Sequence, residues 1–332
     1  MIKTKKAFSL IEVIFVLVIL GIVASISSQI IVQVYENYIT QNAIYKVGTK
    51  TELVANQIVN RLAYRVQGST LTKAHQTFLK NRGRNNWATR DRDWLELNQL
   101  NVAVGGANTE HYTTIEWIGY DNDSFAATST PEWSGVANYM TATRNSFVTP
   151  GSRLTDVATV ISNLSKDSSG HSKVTLTREN PAAVIFANRS RVIGASLTPN
   201  NPLCMGLIQE DGNNSLACIY AVTNNGTLDT LTFTTPKPVT ITERYKLAWS
   251  AYALVPEEDP ITHHKELVLY SNYQPWNNEN YIQHGTRHVL LTNLTVFKFS
   301  ENGGVIKFKL CASERIGPDH NVSTCKEKAV IR

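Results

Sequence analysis

From Phe8 to Ala24 the chain is almost wholly apolar, interrupted only by Ser9, Glu12 and Gly21. At 1.5 Å per residue such a run makes a helix of about 25 Å, just long enough to cross a bilayer. The pattern then changes without a break. No proline occurs from Ser25 to Val66, and Gly48 is the one helix breaker. Apolar or small residues recur at Ile44, Val47, Thr51, Val54 with Ala55, Ile58, Leu62 and Val66, steps of three or four that make one helical face. Lys46, Lys50, Asn56, Gln57, Asn60, Arg61 and Arg65 fall on the other side. The pattern predicts one continuous helix over Phe8–Val66, about 90 Å long, apolar all round at first and then amphipathic.

Gly68 and Ser69 end that pattern, and residues 69–110 read as polar and irregular. From Thr113 onward β-branched and aromatic runs dominate: TTIEWIGY, KVTLTR, AAVIFAN, LDTLTFT, YKLAWSAYALV, KELVLYSNY, HVLLTNLTVFKFS and GVIKFKLCA. Asn224-Asn225-Gly226 separates two of them, and Asn302-Gly303-Gly304 joins the last two as a tight hairpin. A long helix followed by strands is an α+β order, with an antiparallel sheet packed on the apolar face of the later helix half. The domains expected are a leader at 1–7, a membrane segment at 8–34, an amphipathic helix at 35–67 and a β-rich globular domain at 68–332.

Charge adds a direction. Lys3, Lys5 and Lys6 precede the apolar run, and without those three lysines the net charge of +5 falls to +2. The cluster reads as a cytoplasmic anchor under the positive-inside rule, with the remainder of the chain on the far side of the membrane. The remaining excess is too small to imply a nucleic-acid or membrane-surface partner by itself. Glu12 argues against a cleaved secretory signal, whose apolar region seldom carries a charge. A carboxylate in a bilayer costs roughly 2.5–3.5 kcal/mol on insertion scales.

The stretch KKAFSLIEVIFVLVILGIVAS resembles the class III signal of type IV pilins and of the pseudopilins of type II secretion: a basic leader, a small residue, Phe, then Glu at the fifth mature position. The resemblance covers about residues 1–35, and the amphipathic continuation fits the family's long first helix. It implies that a prepilin peptidase cuts between Ala7 and Phe8 and methylates the new amine. Ala7 departs from the usual glycine but is the next smallest residue. It also implies a role for Glu12: in a filament its carboxylate meets the Phe8 ammonium of a neighbouring subunit, neutralising two charges that are costly to bury alone. The alternative is a glutamate that snorkels to the interface.

A body of about 265 residues after Val66 and Gln29, where major pilins commonly have proline, point to a minor, low-copy subunit at or near a filament tip. The amphipathic stretch TELVANQIVNRLAYRV and the closing hairpin look most similar to a large minor pseudopilin of J type, and the retained Glu12 departs from the largest tip pseudopilin. The implied partners are the peptidase, other major and minor pilins or pseudopilins, and an inner-membrane assembly platform. The implied location is the bacterial inner membrane, single pass, with the globular domain periplasmic. A tip adhesin or DNA-binding minor pilin is the alternative of another class.

Cys204 and Cys218 are 14 positions apart, as are Cys311 and Cys325. No C-x₂₋₄-C spacing supports a zinc site, so disulfides in an oxidising compartment are expected, local pairing being one of three connectivities. Four free thiols are the other reading. The interleaved Arg82, Arg84, Arg90 and Arg92 with Trp87 and Trp94 offer a single-strand binding pattern, but Asp91, Asp93 and Glu96 favour a solvated loop. His284 and His288, and His263-His264 near Glu257, Glu258 and Asp259, read as surface residues rather than metal ligands; the carboxylates of PEEDP permit a Ca²⁺ site but read first as a solvated acidic turn. Asp211–Ser215 and Asp319–Ser323 fit an acidic-extended glycosylation sequon against a default of loop residues. No nucleophile elbow, metalloprotease, Walker or dinucleotide motif is present, so no catalytic residue and no cofactor are expected and an enzyme is disfavoured.

Overall fold

The computed structural model describes residues 9–74, 94–100, 112–167, 169–186, 204–208, 216–234, 237–238, 241–317 and 320–331. Helix α1 (Leu10–Ala63) is continuous over 54 residues, about 80 Å. It stops three residues before the expected Val66, and competition from a strand explains why. The Val66 N–H donates to Ile118 O at 2.8 Å and the Tyr120 N–H to Tyr64 O at 2.8 Å, so the chain leaves the helix to pair with a sheet. Arg65 is thereby moved off the polar side assigned to it. It is buried, and its guanidinium donates to Leu62 O and Gly304 O.

The helix buries Ala43, Val47, Thr51, Val54, Ala55, Ile58 and Leu62. This is the expected face with one change: Ile44 is left 46% exposed and Ala43 is covered instead. What covers it is the C-terminal sheet, β12 (Leu294–Asn302), β13 (Val305–Ile316) and β14 (His320–Val330), in the order β12-β13-β14. Gly303 and Gly304 both take positive φ in the β12–β13 turn, the conformation a two-residue hairpin of matching twist requires. Lys326 and Lys328 of β14 reach Glu52 on the helix at 3.2 and 2.5 Å and hold that carboxyl below its usual range.

Among its described residues the β-rich body has three antiparallel sheets where one was expected. The first is six-stranded, in the order β11 (Thr286–Leu291), β10 (Lys265–Tyr273), β9 (Ser250–Glu258), β3 (Tyr112–Gly119), β1 (Leu71–Ala74) and β2 (Trp94–Glu96). The third sheet is five-stranded, in the order β4 (Ser146–Val148), β7 (Thr230–Phe233), β6 (Tyr220–Thr223), β5 (Ala182–Phe186) and β8 (Tyr245–Ala248). YKLAWSAYALV, expected as one strand, is two. β8 pairs with β5, the chain turns at buried Trp249, and β9 pairs with β3 and β10 in another sheet. HVLLTNLTVFKFS likewise splits into β11 and β12.

The expected strand in KVTLTR is irregular backbone whose Val174 and Leu176 plug the third core, Leu176 at a φ of 54°. The expected runs include neither β4 nor β6, and two longer elements lie outside them as well. Helix α2 (Leu154–Leu164) buries Leu154, Val157 and Ile161 at helical spacing, and β14 is largely polar. The part of the region read as irregular that the structure describes includes β1 and β2. A short helix α3 (Tyr281–His284) precedes β11.

Candidate assembly site

Helix α1 starts at Ser9, whose backbone is extended, and Glu12 lies in its first turn. The Glu12 N–H donates to Ser9 O at 3.0 Å, and the Ser9 N–H donates to the Glu12 carboxylate at 3.4 Å. The carboxylate therefore folds back toward the helix N-terminus, where the aligned peptide dipoles favour negative charge. Ala7 and Phe8, the expected processing residues, lie outside the described residues.

Among the described residues, nothing from the body touches this end. Residues 10–38 are exposed on every side, a bare rod of about 44 Å. Leaving side chains such as Leu17, Ile19 and Leu20 in water costs about 1.5–3 kcal/mol each relative to burial. The segment thus demands lipid or other helices around it. The helix is long and apolar enough to cross a membrane. Tyr35 and Tyr38, both 64% exposed, close the bare segment where amphipathic aromatic rings suit a membrane–water boundary.

The apolar character does not stop where the body begins. Tyr38, Tyr45 and Leu53 are 64, 73 and 65% exposed. They are seven and eight residues apart, about two turns each, and so share one flank, turned away from the buried stripe. The spacing is present in the sequence, but which flank the body leaves open is decided by folding.

The remaining candidates resolve individually. Cys204 is joined to Cys218 in the core behind the first sheet, and Cys311 to Cys325 directly across β13 and β14. His284 ends α3 and His288 lies on β11, so the chain changes from helix to strand between them. His263 Nδ1 lies 2.9 Å from Glu258, and His264 Nδ1 lies 2.6 Å from Asn293 Oδ1. Glu257 accepts from Tyr270 and Arg287, and Asp259 accepts the Ile261 and Thr262 N–H groups, so the carboxylates of PEEDP are engaged in the turn. Among the described residues no group of three or more His, Cys, Asp or Glu is placed to hold a metal ion. Trp94 is buried, whereas Trp87 and the four interleaved arginines lie outside the described residues, as does Asp211–Ser215. Asn321 and Ser323 lie on β14.

The body has its own buried charges. Lys73 and Glu116 pair at 2.7 Å, with the Tyr273 hydroxyl donating to the other carboxylate oxygen at 2.8 Å. Asp121 is buried, and desolvation, aided by neighbouring Asp123, pushes its carboxyl up to about 7 against the hydrogen bond from the Ser124 N–H.

A bare apolar helix that continues directly into the packing helix of a β-rich body defines a class: membrane-anchored subunits whose exposed helix is available to other helices. Residues 2–28 match the family model described as the prokaryotic N-terminal methylation motif. The chain thus carries the prepilin-type signature of the type IV pilin and pseudopilin family, which implies processing by a prepilin peptidase and assembly with other pilins in general. No curated protein and no solved structure matches it.

Proposed function

We propose that this chain is a minor, low-copy subunit at or near the tip of a type IV pilus or type II secretion pseudopilus, where it initiates or supports filament assembly. The observation that carries the reading is Glu12, a carboxylate in an otherwise apolar first part of the helix that the described residues of the body leave bare. After cleavage between Ala7 and Phe8, the N-methylated Phe8 amine of one subunit meets Glu12 of its neighbour. Such a buried pair sets axial register more than it adds stability. The N-terminus lies in the cytoplasm and the body in the periplasm, a topology supported by Lys3, Lys5 and Lys6 ahead of the helix and by two disulfides beyond it. The large body argues for few copies, and the role is structural, calling for no cofactor. The Tyr38–Tyr45–Leu53 seam supports helix contacts that continue beyond the lipid.

N-terminal mass spectrometry of the native protein tests the reading. A mature chain beginning at N-methylated Phe8 is the expected result. A chain starting at Met1, or one starting after Ser25, overturns it, because the amine or the acid is then missing.

A further inference from the structure

The C-terminal sheet has two faces with different tasks. Ile306, Phe308, Leu310 and Ala312 of β13 belong to the core cluster that contains the buried face of α1. Strand alternation sends Lys307 and Lys309 the other way, into solvent. Register places Lys298 of β12 directly opposite Lys309, and Lys309 directly opposite Glu327 of β14. Ser300, Lys307 and Ala329 form the next row. The two rows line an open groove of about 500 Å³ across all three strands.

Its charge is not balanced. Glu327 is the one carboxylate among the groove's lining residues, and Lys309 takes it at 2.7 Å. Lys328 belongs to the helix side, bound to Glu52. Lys298 and Lys307 are exposed and have no carboxylate within ion-pair distance among the described residues. Like charges directly opposite each other on a sheet destabilise it, so the Lys298–Lys309 row carries a repulsion that an added anion would relieve. Lys307 and Lys309, two residues apart on one strand, are about 6.8 Å apart along it, and the Lys309 ammonium, with three N–H donors, can take a second carboxylate beside Glu327. Carboxylates at alternate positions of an extended chain have that same spacing.

We infer that this groove is a docking surface for an acidic protein segment, one that presents carboxylates at alternate positions and lies along β13. A protein segment fits the face better than a nucleic acid does. Glu327 sits among the lysines where a phosphate chain would run, and the lining aromatics Phe299 and Phe308 alternate toward the helix side, leaving no stacking platform. The surface lies across the sheet from α1 and does not depend on the assembly reading.

Fluorescence anisotropy on the full chain in neutral-detergent micelles tests the inference with three labelled probes of matched charge. These are a Ser-Glu alternating peptide, a peptide of the same composition with its glutamates contiguous, and oligothymidylate. The alternating peptide is expected to bind tightest. The K298E/K307E variant, which removes two cations and adds two like charges, is expected to weaken it about tenfold, about 1.4 kcal/mol. K298Q/K307Q should weaken it less, and K46E, on the distant helix, should leave it unchanged. Circular dichroism confirms that each variant is folded. Equal binding of the two peptides, indifference to K298E/K307E, or tighter binding of oligothymidylate overturns the inference. Because no filament is needed for this measurement, failure here leaves the Glu12 reading intact, and failure of that reading leaves this one.

Discussion

Two carboxylates occupy places where charge is expensive, and they differ in what relieves them. Asp121 is relieved by a proton. Its folded-state value of about 7 exceeds the unfolded 3.8, so the folded state binds the proton more tightly and the group favours folding most at low pH. That contribution is lost as pH rises from about 4 to about 7, and amounts to on the order of 4 kcal/mol. Asp121→Asn keeps an acceptor for the Ser124 N–H and removes the titration. Denaturant unfolding of the full chain in micelles should show the variant gaining on the wild type steadily across that window. A constant difference would mean Asp121 ionises normally. For Glu12 the proposed relief is instead the amine of a neighbouring subunit. Glu12→Ala should leave membrane insertion unchanged, read by fractionation, while co-purification with other filament subunits falls. Unchanged co-purification would mean the carboxylate has no part in assembly.

The element that matters most is α1 against the C-terminal hairpin, because it joins the membrane anchor to the body. Ile58 is 2% exposed at the centre of that contact. Ile58→Ala should cost about 2–5 kcal/mol, measured as a shift in denaturant midpoint at unchanged slope. The helix and the β12–β13 turn were legible because local rules govern them: a 3.6-residue period without proline, and a glycine pair between apolar alternations. Helix α2 was equally local and was missed, since Leu154, Val157 and Ile161 are only three positions in a short segment. The division into three sheets was not legible, because it rests on distant pairings such as Ile115 with Leu254. Nor was β14, whose covered face meets the helix through Lys326 and Lys328 and buries Val330 as its one apolar side chain in that core. Of the candidate site, Glu12 stood out as a charge in an apolar run. The Tyr45–Leu53 seam and the Lys298–Lys309 row did not, since each needs the face or register that only folding decides.

At the scale of the whole molecule, one helix serves two sets of neighbours from opposite flanks. Its Val47–Leu62 stripe is spent on the body, and its bare segment with the Tyr38–Tyr45–Leu53 seam is left for others. If the seam is an assembly surface, stability and assembly must respond to different substitutions on the same helix. Tyr45→Asp alters a side chain 73% exposed, so the stability of the body should change by less than about 0.5 kcal/mol. Burying a new carboxylate between helices without a partner costs more than that, so assembly should fall sharply. Ile58→Ala should do the reverse to stability. A mild version, Ile58→Val at about 0.5–1.5 kcal/mol, should leave assembly intact while the body still folds. Unfolding in micelles and co-purification with filament subunits, measured on all three variants, separate the two effects. A Tyr45→Asp chain that assembles normally would remove the seam from the interface and confine subunit contacts to the apolar segment around Glu12.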